Sequence, residues 1–360
     1  MSKIIVLANS PGGLFLFRNE LLSYLLKNND IIIICPKGQR EQDLCKLGCK
    51  IIHVSLNRRG INPRKDIRLF IDYCRIFRQE KPDYAITYTI KPNIYGGAVA
   101  RLKHIPYAIN VTGLGTAFEQ KSIIRAIATI MSRFSMAKAR IVFFENETDC
   151  ERMINLKITK KEKTKVLHGA GVNLDRFILQ PYPNGTPFRF LFIGRIMKEK
   201  GVCELIQAIK RLRTEGHECV LDMLGIYEES FESIIELYQH EGWLFYHGFQ
   251  NDVRPFIRDA HCFVLPSWHE GMANTNLECA ASGRPVITTN IPGCKEAVID
   301  GISGFLCEPH NTDSIYTAMK KMLALGAAER KKMGLEGRKH MELHFDKKEV
   351  VDQTVSCLGL

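Results

Sequence analysis

Metal-ligand spacing is missing from this chain. Its twelve cysteines are scattered and none forms a Cys-x-x-Cys pair, the spacing on which structural zinc sites are built. Most lie inside apolar runs, as Cys35 does in "DIIIICP", so buried free thiols in a reducing cytosol are expected. Long hydrophobic runs are also missing: no uninterrupted stretch reaches the roughly 18 residues that a spanning helix needs. The opening "MSKIIVLANSPGG" reads as a short strand and a loop, without the apolar region of a signal peptide. The expectation is a cytosolic protein that does not span the membrane. There is no low-complexity segment and no repeat of 20–50 residues.

Acidic charge is scarce in one half only. Residues 1–170 carry 29 Lys and Arg against 14 Asp and Glu, a net of +15, whereas residues 171–360 hold −4 of the whole chain's +11. A basic first half points to an anionic partner, either acidic lipid or nucleic acid. No reader motif for nucleic acid accompanies it, so the expectation is an anionic membrane surface and no nucleic acid.

What is present is a globular α/β pattern. At 360 residues, 45% hydrophobic and 25% charged, the chain suits two domains. Apolar runs at 3–8, 30–36, 49–56, 83–89, 107–112 and 140–146 read as strands, and 15–27 and 66–79 as helices between them. Several runs are apolar throughout, as parallel strands covered on both faces are. The pattern resumes with strands at 188–194, 219–225, 244–249, 262–267 and 284–290. Helices fall near 202–213, 230–240, 252–259 and 275–282. Glycines and prolines crowd residues 166–188, a hinge composition. The fold class is therefore α/β, two doubly wound Rossmann-like domains facing across a cleft at the C-terminal ends of their strands. The domain boundaries are 1–170 and 171–335, with a C-terminal helix, 336–360, expected to pack back on the first domain.

Two stretches in the second half carry candidate chemistry. In "FLFIGRIMKEKGVCELIQAI" a strand ends at Gly194, Arg195 and Lys200 follow, and Gly201 precedes a helix. Free amides at the helix start and two cations would hold a diphosphate; the alternative is a helix start with two solvated cations. In "HEGMANTNLECAASGRPVI" Gly271 permits close backbone approach, so the amides of Met272, Ala273 and Asn274 would face a sugar hydroxyl or a phosphate. Glu270 before the turn and Glu278 on the following helix supply two acceptors for one small ligand: one for a transferred sugar, the other for a ribose diol. A surface acid and a helix-start acid are the plainer alternative.

These residues, with the linker "HGAGVNLDRF", resemble the GT-B retaining glycosyltransferases of family 4, and the likeness extends over essentially the whole chain. The resemblance implies that Arg195 and Lys200 bind the donor diphosphate, that Glu270 contacts the donor sugar, and that Glu278 contacts the ribose. It places His247, Gly248 and Phe249 near the nucleotide base. Gly12 and Gly13 resemble the glycine loop beneath the donor phosphates, though a simple turn would read the same. "TYTIKPNIYGGAVARLKHIPYAINVTGLGTAFE" resembles the subset acting on polyprenyl-diphosphate-linked saccharides. Many members carry a histidine where this chain has Thr112, followed by Gly113, so histidine-assisted catalysis is not expected. The implied activity is transfer of a hexose or N-acetylhexosamine from a UDP-sugar to a lipid-diphosphate-linked acceptor. No Asp-x-Asp is placed for a metal; Arg195, Lys200 and Glu270 are the catalytic candidates, and no cofactor is expected. A nucleotide-sugar epimerase shares the architecture but needs acid–base carboxylates that the sequence does not place.

The membrane face has two candidates. Residues 121–140 form a basic amphipathic helix containing Arg125 and Arg133, suited to an anionic bilayer or, alternatively, to ordinary core packing with a charged outer face. Arg58 and Arg59, with Arg64, Lys65 and Arg68, form a second basic cluster, for lipid headgroups or for the acceptor diphosphate. The expected location is the cytoplasmic, inner face of the plasma membrane.

Overall fold

The computed structural model describes residues 1–57, 62–114 and 123–359. Arg58 and Arg59 lie outside the described residues. The chain divides into two compact units: Met1–Ala170 joined by Glu349–Leu360, and Gly171–Lys348.

Unit 1 runs β1 (Ser2–Leu7), α1 (Pro11–Leu25), β2 (Asn29–Cys35), α2 (Glu41–Leu47), β3 (Lys50–His53), α3 (Pro63–Glu80), β4 (Tyr84–Tyr88), a π-helical turn (Pro92–Gly96), α4 (Gly97–Leu102), β5 (Tyr107–Val111), α5 (Ile123–Met136), β6 (Ile141–Phe144), α6 (Glu147–Asn155) and β7 (Thr164–Val166). All strands are parallel, in the order β3-β2-β1-β4-β5-β6-β7. The central strands are buried on both faces, which is why "IIIIC" and "AITY" read as continuous apolar runs. One face is packed by Leu69, Tyr73 and Phe77 of α3, Val99 and Ala100 of α4, and Ala128 and Met136 of α5. The other takes Leu14, Leu21 and Leu25 of α1 and Leu44 of α2.

Unit 2 runs β8 (Phe188–Ile193), α7 (Val202–Thr214), β9 (Cys219–Leu224), α8 (Glu232–His240), β10 (Leu244–Tyr246), α9 (Arg254–Asp259), β11 (Cys262–Leu265), α10 (Asn274–Ala281), β12 (Val286–Thr289), β13 (Gly304–Cys307), α11 (Thr312–Ala324) and α12 (Ala327–His344). Its parallel sheet is ordered β10-β9-β8-β11-β12-β13. Arg284, fully buried, donates to the carbonyls of Ile257, Arg258 and Pro181, and so ties the linker to this unit.

The tail divides at Lys348 and not at 336. Helix α12 packs on α10 within unit 2; Gly334 and Gly337 allow this, since a Cβ at Gly334 would fall 2.1 Å from the Gly283 carbonyl oxygen. Only the next helix, α13 (Lys347–Leu358), buries Val350, Val355 and Leu358 in the core of unit 1.

Helix α5 is turned in an unusual sense. Ser132, Ser135, Ala128 and Met136 face the core, while Ile123, Ile127, Ile130 and Phe134 are 41% to 80% exposed. The spacing i, i+4, i+7, i+11 puts those four on one stripe. An ordinary core-packed helix with a charged outer face is thus not what the chain forms.

Candidate functional site

In each sheet the strand order reverses once, and at such a point two neighbouring strands send their following loops to opposite faces and leave a crevice. In unit 2 the reversal lies between β8 and β11. The loop after β8 carries Arg195 and Lys200; the loop after β11 carries Glu270.

Close backbone approaches lock these loops. Gly201 caps α7 with φ +71°, and a Cβ there would sit 2.1 Å from the carbonyl oxygen of Pro266. Only glycine fits, so the β8 loop lies against the β11 loop. The Trp268 amide donates to the Glu199 carbonyl at 2.9 Å, and the Ser267 hydroxyl donates to the same oxygen at 3.3 Å. Gly293 supports the turn from beneath: its carbonyl accepts from Ala273 at 2.7 Å, and a Cβ on it would meet the carbonyl oxygens of Glu270 and Gly271.

The outcome is an ion pair between Lys200 and Glu270, seventy residues apart in the chain, with side chains 14% and 15% exposed. Arg195 takes a different partner. Its guanidinium lies 3.5 Å from Glu228, which follows β9. A β-bridge between Ile196 and Tyr227, and a bond from the Glu228 amide to the Ile196 carbonyl, hold these two loops together. Each cation expected to bind phosphate is thus matched with a carboxylate, and no hydrogen bond or ion pair among the described residues joins Arg195 to Lys200. Glu228 was not visible to the sequence reading; its signal is an acid three residues beyond a strand-ending glycine, Gly225, in a loop like that of Gly194 and Arg195.

Glu278 lies in the second turn of α10. Its carboxyl makes no hydrogen bond or ion pair among the described residues. Burial pushes it up to about 7, against the opposing pull of Lys347 and Arg176. Arg176 comes from the "NLDRF" turn, where Asn173 accepts from its amide at 2.9 Å. A carboxyl that is desolvated and unbonded has capacity for a hydroxyl-rich ligand. No bond links Glu278 to Glu270 among the described residues.

Two expectations change, and a third residue is already engaged. The amides of Met272, Ala273 and Asn274 do not act as a set: Ala273 donates to Gly293, and Asn274 donates to the Met272 carbonyl at 3.0 Å. Gly12 and Gly13 are not in a loop. Pro11 presets the first helical turn, and the Ser10 side chain caps α1 by accepting from Gly13 at 3.2 Å. The His247 ring is occupied: it bonds Asp222 at 2.7 Å, Asp222 pairs with Arg189 at 2.8 Å, and Phe256 packs on the ring at 4.7 Å. Gly248 bends away with φ +65° and accepts from the Gly225 amide, leaving Phe249 exposed.

At the reversal in unit 1, between β1 and β4, Thr89 follows β4 with φ +73° and has a buried, unpartnered hydroxyl. Lys91 beside it pairs with Asp66 of α3 at 2.7 Å. Thr112 and Gly113 follow β5, with Gly113 at φ +108°. Arg133 donates twice to the Leu156 carbonyl, at 2.6 and 3.1 Å, tying α5 to the end of α6. Arg125 is half-buried on α5.

Known proteins resemble this chain in sequence and in fold. The family model "Glycosyl transferase 4-like" matches residues 3–146, and "Glycosyl transferases group 1" matches residues 176–340. The chain is 24% identical to the N,N'-diacetylbacillosaminyl-diphospho-undecaprenol alpha-1,3-N-acetylgalactosaminyltransferase of Campylobacter jejuni, over 89% of each. It is 27% identical to the capsular polysaccharide biosynthesis glycosyltransferase CapM of Staphylococcus aureus, over 95% of this chain and 93% of the relative. It is also 27% identical to the UDP-Gal:alpha-D-GlcNAc-diphosphoundecaprenol alpha-1,3-galactosyltransferase of Escherichia coli, over 81% and 80%. Among solved structures, Anabaena HepE in complex with UDP and glucose superposes with a TM-score of 0.81 at 16% identity, over the full length of both chains. That likeness is one of fold.

Proposed function

The chain belongs to the GT-B glycosyltransferases of the family-4 class, and from that premise we propose that it moves a hexose or N-acetylhexosamine from a UDP-sugar to a polyprenyl-diphosphate-linked saccharide, with retention of configuration. The product is a bacterial surface polysaccharide or glycan. Two of the relatives name a diphosphoundecaprenol acceptor and one names UDP-Gal; the reading carries those classes over. Both matching family models describe glycosyl transferases, so an epimerase has no support.

The observation that carries the reading is the Lys200–Glu270 pair at the strand-order reversal of unit 2. Donor binding exchanges each cation's carboxylate for a phosphate oxygen. Lys200 and Arg195 then face the charge that grows on the UDP leaving group as the anomeric C–O bond breaks. Glu270, released from Lys200, accepts from a hydroxyl of the transferred sugar, and Glu278 accepts from the ribose diol. The acceptor hydroxyl adds to the same face of the sugar and passes its proton to the departing phosphate oxygen. Charge stabilisation comes from these cations, without a divalent metal. Unit 1 receives the acceptor beside Thr112 and Gly113. No helix among the described residues is long and apolar enough to cross a membrane; the enzyme works as a peripheral protein on the inner face of the plasma membrane.

A thermal-shift screen of UDP and a panel of UDP-sugars tests this. Ligand that binds only the folded protein raises its melting temperature, so UDP should stabilise the wild type and the true donor should stabilise it further. No shift with UDP or any UDP-sugar would remove the reading. Incubation with the stabilising sugar nucleotide alone should leave it unconverted; conversion without acceptor would favour an epimerase.

A further inference from the structure

We infer that unit 1 docks on an anionic bilayer through apolar side chains of α3 and α5 together, with the cations as a rim. This rests on the lipid-linked acceptor reading and gives it a surface. Both helices pack inward on the same core and flank the π-helical turn and α4. Ile123, Ile127, Ile130 and Phe134 of α5, and Ile67 and Ile71 of α3, are all exposed. Six large apolar side chains on one helical layer exceed the scattered singles normal for a surface.

Helix α5 pairs this stripe with a core face that contains serines. A helix oriented only by its own core would put the isoleucines inside and the serines outside. The reversed orientation is explained if the stripe has an apolar partner. Arg101 of α4 braces it, with its guanidinium 4.1 Å from the Phe134 ring centroid.

Charge selects the partner. Exposed Arg64, Arg68 and Arg78 share the outward face of α3 with Ile67 and Ile71. The acids of α3 are matched internally: Asp66 with Lys91, Asp72 with Arg75, Glu80 with Lys50. Helix α5 contains no acid at all. Isoleucines rimmed by arginine suit the interface of a membrane that carries anionic lipid. A second copy of the chain would press the same arginines against themselves across a two-fold axis, so the bilayer is the better occupant. Arg133 is not a lipid contact in this arrangement, because its guanidinium is bonded to Leu156.

Co-sedimentation of the full chain with vesicles of phosphatidylglycerol and phosphatidylcholine, against phosphatidylcholine alone, reads this out. The wild type should pellet with the anionic vesicles and only partly detach in high salt, since apolar insertion is not screened. I127D/I130D and I67D/I71D each place charge at exposed sites and should weaken partitioning at least about tenfold, with the UDP-induced thermal shift unchanged. Loss of the UDP shift in the wild type would strike the donor reading and leave vesicle binding standing. A wild type that stays in the supernatant, or an I127D/I130D chain that pellets equally, overturns the docking surface. A wild-type dimer in sedimentation velocity that I127D/I130D splits, without vesicle binding, overturns it in favour of a second copy.

Discussion

Two lysines stand at the two strand-order reversals, each in an ion pair of nearly equal burial, yet they serve different ends. Lys200 pairs with Glu270, a residue of the neighbouring switch-point loop, so the pair lies at the mouth of the crevice between β8 and β11. Lys91 pairs with Asp66 on α3, so its charge is turned onto the face of the sheet, where it fastens a helix. Distance and burial alone do not separate a binding cation from a structural one. What separates them is the element that supplies the partner.

Exchanging each lysine sharpens that contrast. Lys200→Ala should lower kcat of the folded enzyme about 10²–10³-fold, the usual loss when a donor to the developing charge is removed, beside the stability cost of stranding Glu270; normal turnover would take Lys200 out of the site. Lys91→Ala should cost stability and leave kcat of the folded enzyme unchanged. It strands the buried carboxylate of Asp66 and should cost about 3 kcal/mol of folding stability, measured by urea denaturation, while UDP still binds whatever fraction remains folded.

Glu278 gives an intermediate effect with a pH signature. Its carboxyl is held near 7 in the folded protein by burial and titrates lower when unfolded. The folded state therefore favours the protonated form, and this group's contribution to stability is full below the unfolded value and is lost as pH rises toward and through 7. Ligand binding should run the opposite way, since a ribose hydroxyl donates best to the ionised carboxylate. Donor KM should fall as pH rises from 6 to 8. Glu278→Gln should flatten that profile, raise KM about tenfold, and stabilise the free protein at pH 8 relative to wild type. A variant with the wild-type pH profile would exclude the ribose role.

The smallest effect is expected at Glu228. Glu228→Gln weakens the pairing that holds Arg195. The pair is partly exposed, so UDP affinity should rise only a few-fold, and more at low salt. A loss of affinity would mean that Glu228 contacts the ligand itself.

Much of this was legible in the sequence, and the exceptions have physical causes. The buried central strands announced themselves as apolar runs, and the helix after Gly201 by its glycine and its periodicity. Two of the four edge strands did not, although β3 and β10, also at edges, were read at 49–56 and 244–249. β7 is "TKV", half-buried throughout, and β13 is four residues opening on Gly304, whose missing side chain lets it lie against Val286. β7 is short and carries a charge, as edge strands do to discourage further pairing, and β13 is short and opens on glycine, so neither supplies the apolar run that sequence reading depends on. Gly12 and Gly13 misled because a Ser-Pro cap was read as a loop. On α5 the period was legible but its direction was left open between a bilayer and the core, since periodicity reveals a stripe and not what it faces. At the site, the residue types pointed to Lys200 and Glu270; their pairing, and the commitment of Arg195 to Glu228, depend on loop approaches fixed by Gly201 and Gly225.

Isothermal titration of UDP into the wild type and into Lys200→Ala, at one pH and salt concentration, bears most directly on the central claim that the reversal in unit 2 holds the donor. One equivalent should bind the wild type, and the folded variant should bind at least about tenfold more weakly. Superimposable isotherms would contradict the claim.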